Sequence, residues 1–342
     1  MRSMHWSSLA PLGAKRFALA SLVTLALPLF GHADQIVVKM GTVAPEDTPW
    51  AYLAGKIRKK IHKDTNKKVK VKLYLNSVLG DERSLVRQCE AGTIQMIGVS
   101  TGALAAAVPE LQILELPYLF KSAKQADKIL DSMFDEFAKL LEERGFILAY
   151  WSENGFRSFG TKEKAITSVE DIAGLNMRAQ ESDAHVKMYE ALGARGKAIA
   201  VTEVLSSLQG GQVDGFDNTP LFTFAASWHQ GIKHYSLSKH IYQPAVIVYS
   251  KKFWDSVPAE LREKLVPDRK KLTRWARKLI RSMNGPLVKN LEASGITVHK
   301  LSKAVRNAFK AKTEIVYQQI RGVVGERGSQ LLDKILAKLG RK

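Results

Sequence analysis

Short apolar runs alternate with amphipathic stretches over the first hundred residues of the chain. The runs at 36–41, 69–75 and 94–99 are typical of strands, and the segments at 50–63 and 81–91 repeat apolar residues at the spacing of a helix. Helices of this length between strands require right-handed crossovers and a mainly parallel sheet. Ligands of such sheets bind beyond the carboxyl ends of the strands. The pattern therefore predicts an α/β fold with its site in the loops that follow the strands.

The same pattern continues through the second half of the chain. It predicts a helix at about 124–144, a buried strand at 146–151, another strand at 241–250 and a helical region at 258–284. Pro244 lies inside the third of these elements, which indicates either an edge strand or a crossing between two lobes. A chain of 342 residues exceeds one ordinary hydrophobic core. We therefore expect two lobes.

Residues 1–33 have the pattern of a secretory signal peptide. Basic residues precede an apolar block at 17–30, and the small residues Gly31 and Ala33 follow it. The block has fourteen residues, whereas a helix that spans a bilayer needs about 20. We expect cleavage after Ala33 and a mature protein in the periplasm.

The chain is strongly basic, with 52 Lys and Arg against 33 Asp and Glu and a formal net charge of +19. Such a balance favours anionic partners, but an exported protein does not meet genomic nucleic acid, so we expect no nucleic-acid partner. We interpret the basic runs at 56–60, 67–68 and 269–271 as solvated faces. The single cysteine, Cys89, excludes an intramolecular disulfide, and the irregular spacing of the histidines argues against a metal site. We expect neither a metal nor a cofactor.

Three polar residues follow predicted strands or turns in the middle of the chain. Arg157 follows a buried strand, Arg178 ends the next short strand, and Asn218 ends a segment that turns back toward both. A guanidinium matches a carboxylate in two-pronged geometry and keeps its charge at physiological pH. The three residues therefore indicate a carboxylate site. The alternative is that both arginines lie on the surface and pair with Glu153 or Glu181.

Several motifs around these residues resemble the DctP-type substrate-binding proteins of tripartite ATP-independent periplasmic (TRAP) transporters. The motifs are Leu79-Gly-Asp-Glu-Arg83, the segment 114–120, Asn154-Gly-Phe-Arg157, the segment 168–178, and the segment 202–218 with its Gly-Gly-Gln-Val-Asp-Gly-Phe-Asp-Asn end. The resemblance covers almost the whole chain after residue 33 and is therefore specific.

The resemblance implies roles for individual residues. In the family, the arginine that matches Arg178 forms a two-pronged salt bridge with the ligand carboxylate, and the positions that match Arg157 and Asn218 assist it. Glu82 matches a position that contacts ligand in some relatives. Asn154 and Phe216 lie in the same motifs and complete the set of candidate ligand-binding residues, while no catalytic residue is implied.

The resemblance also implies an architecture and partners. We expect a two-lobed periplasmic binding protein fold with the ligand cleft between the lobes and a long bracing helix. Lobe I would comprise 34–154 plus about 244–283, and lobe II would comprise 155–243 plus about 284–342. The implied partners are a small organic acid and TRAP membrane subunits, and the protein would be a monomer.

Two other functions compete with a binding protein. An exported isomerase or lyase could hold a carboxylate with Arg178 and use Glu153, Asp217 or Glu203 as acid or base. A surface protein that binds polyanions would explain the net charge, and its affinity would collapse with salt. The sequence contains no nucleophile elbow, phosphate-binding Gly-rich loop or dinucleotide fingerprint, so a binding protein is favoured.

Overall fold

A mixed sheet runs through residues 35–341, the part of the chain that the computed structural model describes. Its strands are β1 (Ile36–Thr42), β2 (Val69–Tyr74), β3 (Met96–Ser100), β4 (Phe146–Thr161), β5 (Asn176–Ala179), β6 (Arg195–Ala198), β7 (Gly215–Asn218), β8 (His234–Ser250) and β9 (Thr297–His299). The predicted signal peptide lies outside the described residues.

Helices cover both faces of this sheet. They are α1 (Pro49–Asp64), α2 (Glu82–Ala91), α3 (Thr101–Leu104), α4 (Ala123–Ser132), α5 (Phe134–Glu143), α6 (Asp183–Ala191), α7 (Val204–Gln209), α8 (Pro220–Ala225), α9 (Lys251–Ser256), α10 (Ala259–Arg262), α11 (Arg269–Ala293), α12 (Lys303–Lys312) and α13 (Ile315–Lys338). Within residues 35–341, no helix combines the length and apolarity needed to cross a bilayer.

The long strands β4 and β8 join the two ends of the sheet. The strand order is β2-β1-β3-β8-β4-β7-β5-β6, with β9 beside β8. β4 and β8 pair antiparallel along most of their length. β3 pairs with the second half of β8, and β7 pairs with the second half of β4. The chain therefore crosses between the two ends of the sheet along these two strands.

The predicted α/β alternation is confirmed, but several boundaries were wrong. The strand predicted at 146–151 continues to Thr161, and the strand predicted at 241–250 begins at His234. The helix predicted at 124–144 is two helices, because Met133 leaves the helical region with φ −114° and ψ 18°. Pro244 lies in a central strand rather than at an edge, opposite a register shift between Glu153 and Gly155. A bulge at that position tolerates the missing N–H of proline.

Helix α11 is the long helix that was expected to brace the fold. It contacts α1 near one end of the sheet, β4 in the middle, and α8 and β9 near the other end. Arg281 of α11 anchors it, because its guanidinium donates to Asp127 Oδ1 and Oδ2 at 2.7 Å and also binds Glu153. Glu153 accepts a further hydrogen bond from Tyr242 Oη at 2.6 Å. The carboxylate of Glu153 is therefore fully occupied by its contacts with Arg281 and Tyr242.

Candidate functional site

A cavity with about 480 Å³ of empty space lies where β4 and β8 cross the middle of the sheet. The carboxyl ends of β1, β3, β5 and β7 meet there, as the alternating pattern predicts. Its polar wall consists of Glu82, Ser100, Asn154, Arg157, Arg178, Gln180, Asn218 and Gln243, and its apolar wall includes Val43, Trp50, Val99, Val201 and Phe222.

Arg178 reaches the cavity from β5. Its side chain is 3% exposed, and its Nε donates to the carbonyl oxygen of Ile199 at 2.9 Å. No carboxylate within residues 35–341 forms an ion pair with this guanidinium, because Glu181 pairs instead with Arg83 at 3.6 Å. Burial, reinforced by the charge of Arg157, lowers the pKa of Arg178 to about 10. The cavity therefore contains a buried cation whose terminal nitrogens are free to bind an anion.

The ring of Trp228 supports the Arg178 guanidinium from one side. Its centroid lies 5.3 Å from the guanidinium carbon, which is within the range of a cation–π contact. Trp228 is 2% exposed, so this contact is held by the core rather than by a mobile surface group. The position of the guanidinium is therefore fixed before any ligand enters.

Arg157 also lines the cavity, but the protein neutralises its charge. Nε donates to Asp217 Oδ2 at 2.5 Å, and Nη2 donates to the carbonyl oxygen of Asp217 at 2.5 Å. Nη1 donates to Gln243 at 2.9 Å and to Gln180 at 3.2 Å. Burial disfavours the charged form, but Asp217 outweighs it and raises the pKa of Arg157. The alternative pairing of Arg157 with Glu153 is wrong, because Glu153 binds Arg281.

Asp217 is the centre of a buried polar network behind the cavity. It accepts a hydrogen bond from Tyr189 Oη at 2.9 Å and lies 3.3 Å from His240 Nε2. His185 contacts Asp217 at 3.8 Å and Glu115 at 2.7 Å. Although burial alone would raise it, Arg157 and the histidines hold the pKa of Asp217 well below its usual value. This network fixes the orientation of Arg157.

The carboxylates proposed for an enzyme do not reach the cavity. Asp217 is fully buried and ion-paired, Glu153 is bound to α11, and Glu203 is exposed at the start of α7. Within the described residues, no group of three or more His, Cys, Asp and Glu is placed to hold a metal ion. Among the described residues, the cavity wall therefore contains Arg178, which has no carboxylate partner, and the carboxyl group of Glu82, but none of the three carboxylates named for an enzyme.

Asn154 and Asn218 both line the cavity. Asn154 accepts from Trp50 Nε1 at 3.1 Å and donates to Gln243 Oε1 at 3.0 Å. Asn218 accepts from the backbone N–H of Thr219 at 2.8 Å. Hydrogen bonds to neighbouring residues thus orient both side-chain amides. The side-chain nitrogen of Asn218 has no acceptor within residues 35–341. It is available to a ligand.

Glu82 lies at the start of α2 and lines the cavity together with Arg178. Its two oxygens accept from the backbone N–H of Ser100 at 2.7 Å and from the Ser100 hydroxyl at 3.0 Å. Burial raises the pKa of Glu82 above its usual value. The carboxyl group is therefore a fixed hydrogen-bonding group of the cavity.

Phe216 was predicted to bind the ligand, but its ring does not line the cavity. It is fully buried, with its centroid 5.0 Å from that of Trp228. Side chains of a strand alternate between its two faces, so Phe216 shares a face with Asn218 but lies one pleat further from the carboxyl end of β7, where Trp228 covers it. Phe216 supports the ring that contacts Arg178 instead of contacting a ligand.

Gln180, Gln243 and Trp50 line the cavity but were not among the residues predicted for the site. Gln180 lies two positions after Arg178 and so on the same side of the chain, which the strand period could have revealed. Gln243 connects Arg157, Asn154, Gln180 and Glu115 through hydrogen bonds. The positions of Gln243 and Trp50 in the cavity could not be predicted from neighbouring residues, because both bind Asn154, which is about a hundred positions away in the chain.

Comparison with known proteins identifies the group to which this architecture belongs. The family model described as bacterial extracellular solute-binding protein, family 7 (DctP), matches residues 40–322. A solute-binding protein of Verminephrobacter eiseniae is 31% identical over 267 residues, which are 78% of this chain and 80% of the relative. The C4-dicarboxylate-binding periplasmic protein DctP of Rhodobacter capsulatus is 30% identical over 313 residues, or 90% of this chain and 92% of the relative.

A solved structure shows the same fold. A TRAP periplasmic solute-binding protein of Citrobacter koseri, with bound D-glucuronate, superimposes with a TM-score of 0.81 at 29% identity and covers 87% of this chain and 98% of its own. The two-lobed architecture and the resemblance read from the motifs are both confirmed. Proteins of this family are periplasmic and work with TRAP membrane subunits. The chain belongs to the DctP family, family 7 of the bacterial extracellular solute-binding proteins.

Proposed function

We propose that this protein captures a small organic acid through Arg178 and delivers it to the membrane subunits of a TRAP transporter. The observation that carries the proposal is the buried Arg178 guanidinium, which has no ion-pair partner among residues 35–341. A buried charge is costly unless it is paired. A ligand carboxylate would supply the missing partner, and two-pronged binding would add geometric specificity.

The wall chemistry favours a hydroxylated monocarboxylate over a dicarboxylate. Arg157 is neutralised by Asp217, so Arg178 is the cation left to balance a ligand charge. The Glu82 carboxyl group, which also lines the cavity, would repel a second carboxylate but would bind a hydroxyl group. The Asn218 amide suits the same hydroxyl groups. We therefore place this chain closer in ligand class to the glucuronate-bound Citrobacter koseri protein than to the relative named for C4-dicarboxylates.

A thermal-shift screen will test the ligand class. Sugar acids and short hydroxy monocarboxylic acids are expected to stabilise the protein, because a ligand at about 100 times its Kd adds about 2.7 kcal/mol. Succinate at the same concentration is expected to give a much smaller shift. Glu82→Gln removes the repulsion and should narrow this difference, whereas Glu90→Gln, on the exposed side of the same helix, should not. A larger shift with succinate than with every hydroxy acid would overturn the monocarboxylate proposal.

The lobe division and the location remain part of the proposal. Lobe I is residues 34–154 plus about 244–283, and lobe II is residues 155–243 plus about 284–342. Asn154 and Gln243 lie at the two crossings and are hydrogen-bonded at 3.0 Å, beside the register shift in β4. We also propose that the mature protein is a periplasmic monomer released by cleavage after Ala33.

Small-angle scattering will test whether the lobes close around the ligand. Closure requires better contacts in the closed state than in the open state, and the carboxylate supplies them by joining Arg178 to the opposite wall. The radius of gyration is expected to fall when a stabilising acid from the screen is added at saturation. The Arg178→Met variant provides the control and should scatter identically with and without the acid. An unchanged wild-type curve would show that the site is already closed without ligand.

A further inference from the structure

A second, larger groove lies on the face of β4 and β8 that is opposite the ligand cavity. Arg157 and Gln243 face the cavity, so their strand neighbours Phe156 and Tyr242 face the other way. The Phe156 and Tyr242 rings pack edge to face at 5.2 Å, and Phe120 packs on Tyr242 at 5.7 Å. Phe120 and Phe156 line the groove, which has about 1620 Å³ of empty space when the open solvent at its mouth is included.

Six cations line this groove and no acidic side chain does. They are Lys121, Lys239, Lys303, Arg306, Lys310 and Arg341. None of the six forms an ion pair within residues 35–341, whereas cations on other surfaces do, as Lys334 pairs with Glu136 at 3.0 Å. Uncompensated like charges repel one another and attract anions from solution. The groove therefore brings together six cations that have no ion-pair partner among the described residues.

The backbone adds donors to the same groove. Helix α4 begins at Ala123, which lines the groove, and Ser122 caps it by accepting from the Gln125 N–H at 3.2 Å. The first N–H groups of a helix have no intrahelical acceptor. Across the groove, Lys303, Arg306 and Lys310 share one face of α12, since they are spaced by three and then four residues. Side-chain cations and a helix N-terminus thus converge from two elements.

We propose that this groove binds a phosphate-bearing anion with two or more negative charges, either free or as a lipid headgroup. Guanidinium groups, lysine ammonium groups and a helix N-terminus are the donors that bind phosphate in proteins. The site is separate from the cavity of Arg178, because the sheet formed by β4 and β8 lies between the two. Its occupant therefore does not compete with the organic acid for a binding group.

Calorimetric titration with sodium tripolyphosphate at 150 mM salt will test the site. The double variant K303Q/K310Q should weaken binding at least tenfold. The matched variant K59Q/K63Q removes the same charge from exposed positions of α1 and should stay within twofold of wild type. Equal losses in both variants would reduce the interaction to non-specific attraction by net charge and overturn the proposal. Circular dichroism melts will verify that both variants are folded.

Two further measurements separate the source of the anion and the two sites. Flotation with vesicles that contain cardiolipin, whose headgroup carries two phosphates, compared with phosphatidylcholine vesicles, will show whether a lipid headgroup is bound, and loss of flotation in K303Q/K310Q would assign the lipid to the groove. Tripolyphosphate binding without flotation would assign a soluble anion. The Arg178→Lys variant should retain full tripolyphosphate affinity, so the groove is tested independently of the proposed organic acid. If wild type binds neither probe, the proposal is wrong.

Discussion

Replacing Arg178 with lysine is expected to weaken binding of the organic acid at least tenfold, which corresponds to about 1.4 kcal/mol. Lysine keeps the positive charge, but it loses the planar fork that matches a carboxylate. It also loses the hydrogen bond from Nε to the carbonyl oxygen of Ile199. The melting temperature of the free protein should change little, because no carboxylate within the described residues depends on Arg178 for its partner.

Arg195 provides the matched control for this substitution. It lies on β6, the strand that pairs with the Arg178 strand, and it is exposed outside the cavity, where it donates to Asn176 Oδ1 at 2.9 Å. Arg195→Lys should leave the affinity unchanged. Calorimetric titration would measure both variants with the same acid. If Arg178→Lys bound that acid as tightly as wild type, Arg178 would not be the anchor and the proposed ligand class would lose its main support.

Local patterns predicted the first part of the fold well. β1, β2 and α1 lie within one or two residues of the segments predicted from apolar spacing. Each of these elements buries one regular face, so the spacing of apolar residues in the sequence shows which side packs on the core. Arg178 was singled out as a candidate because a guanidinium at the end of a short strand is unusual within such a pattern, and it is buried and lines the cavity.

The long strand β4 could not be predicted because its period is interrupted. Register shifts after Leu148, Glu153 and Arg157 break the alternation, and Gly155 adopts a positive φ of 104°. Positive φ favours glycine, and a glycine within an apolar run predicts a turn rather than a continuing strand. The break at Met133 was missed for the opposite reason, since apolar residues continue at helical spacing across it.

The site could not be fully predicted, because its central ion pair joins residues that are distant in the sequence. Arg157 and Asp217 are 60 positions apart, whereas the sequence analysis considered Glu153 and Glu181 as pairing partners for the two arginines. Asp217 lies next to Asn218 in the motif, so it was visible as a polar residue but not as a counter-charge. The distinction between a neutralised Arg157 and a free Arg178, on which the proposed ligand class depends, exists only in three dimensions.

Asp217→Ala is expected to destabilise the protein by about 3–5 kcal/mol, because removing one partner of a buried ion pair leaves the other charge uncompensated. Arg157 would keep its charge while 1% exposed, and Tyr189 would lose its acceptor. A loss of this size is a large part of the 5–15 kcal/mol that stabilises a typical domain. Urea denaturation measures it, and Asp333→Ala, which removes an exposed partner of Arg321, is the control and should leave the midpoint nearly unchanged.

A second variant separates loss of the charge balance from loss of packing. Replacing both partners with apolar residues, as in Arg157→Met with Asp217→Leu, removes the uncompensated charge and should recover much of the stability lost in Asp217→Ala. Its ligand affinity can then be measured in a folded protein. A double variant less stable than Asp217→Ala would show that the network acts through shape and hydrogen bonds rather than through charge balance.

The pH dependence of a third variant, Asp217→Asn, gives the sign of the Asp217 contribution. The pKa of Asp217 in the folded protein lies well below its usual value of about 4. A carboxylate with a depressed pKa contributes stability above its unfolded pKa, and the contribution is lost as pH falls toward the folded pKa. The difference in stability between wild type and Asp217→Asn should therefore shrink as the pH falls below about 4. A difference that instead grew as the pH fell below about 4 would mean that Asp217 is protonated in the folded protein, and Arg157 would then be a second free cation able to bind a dicarboxylate.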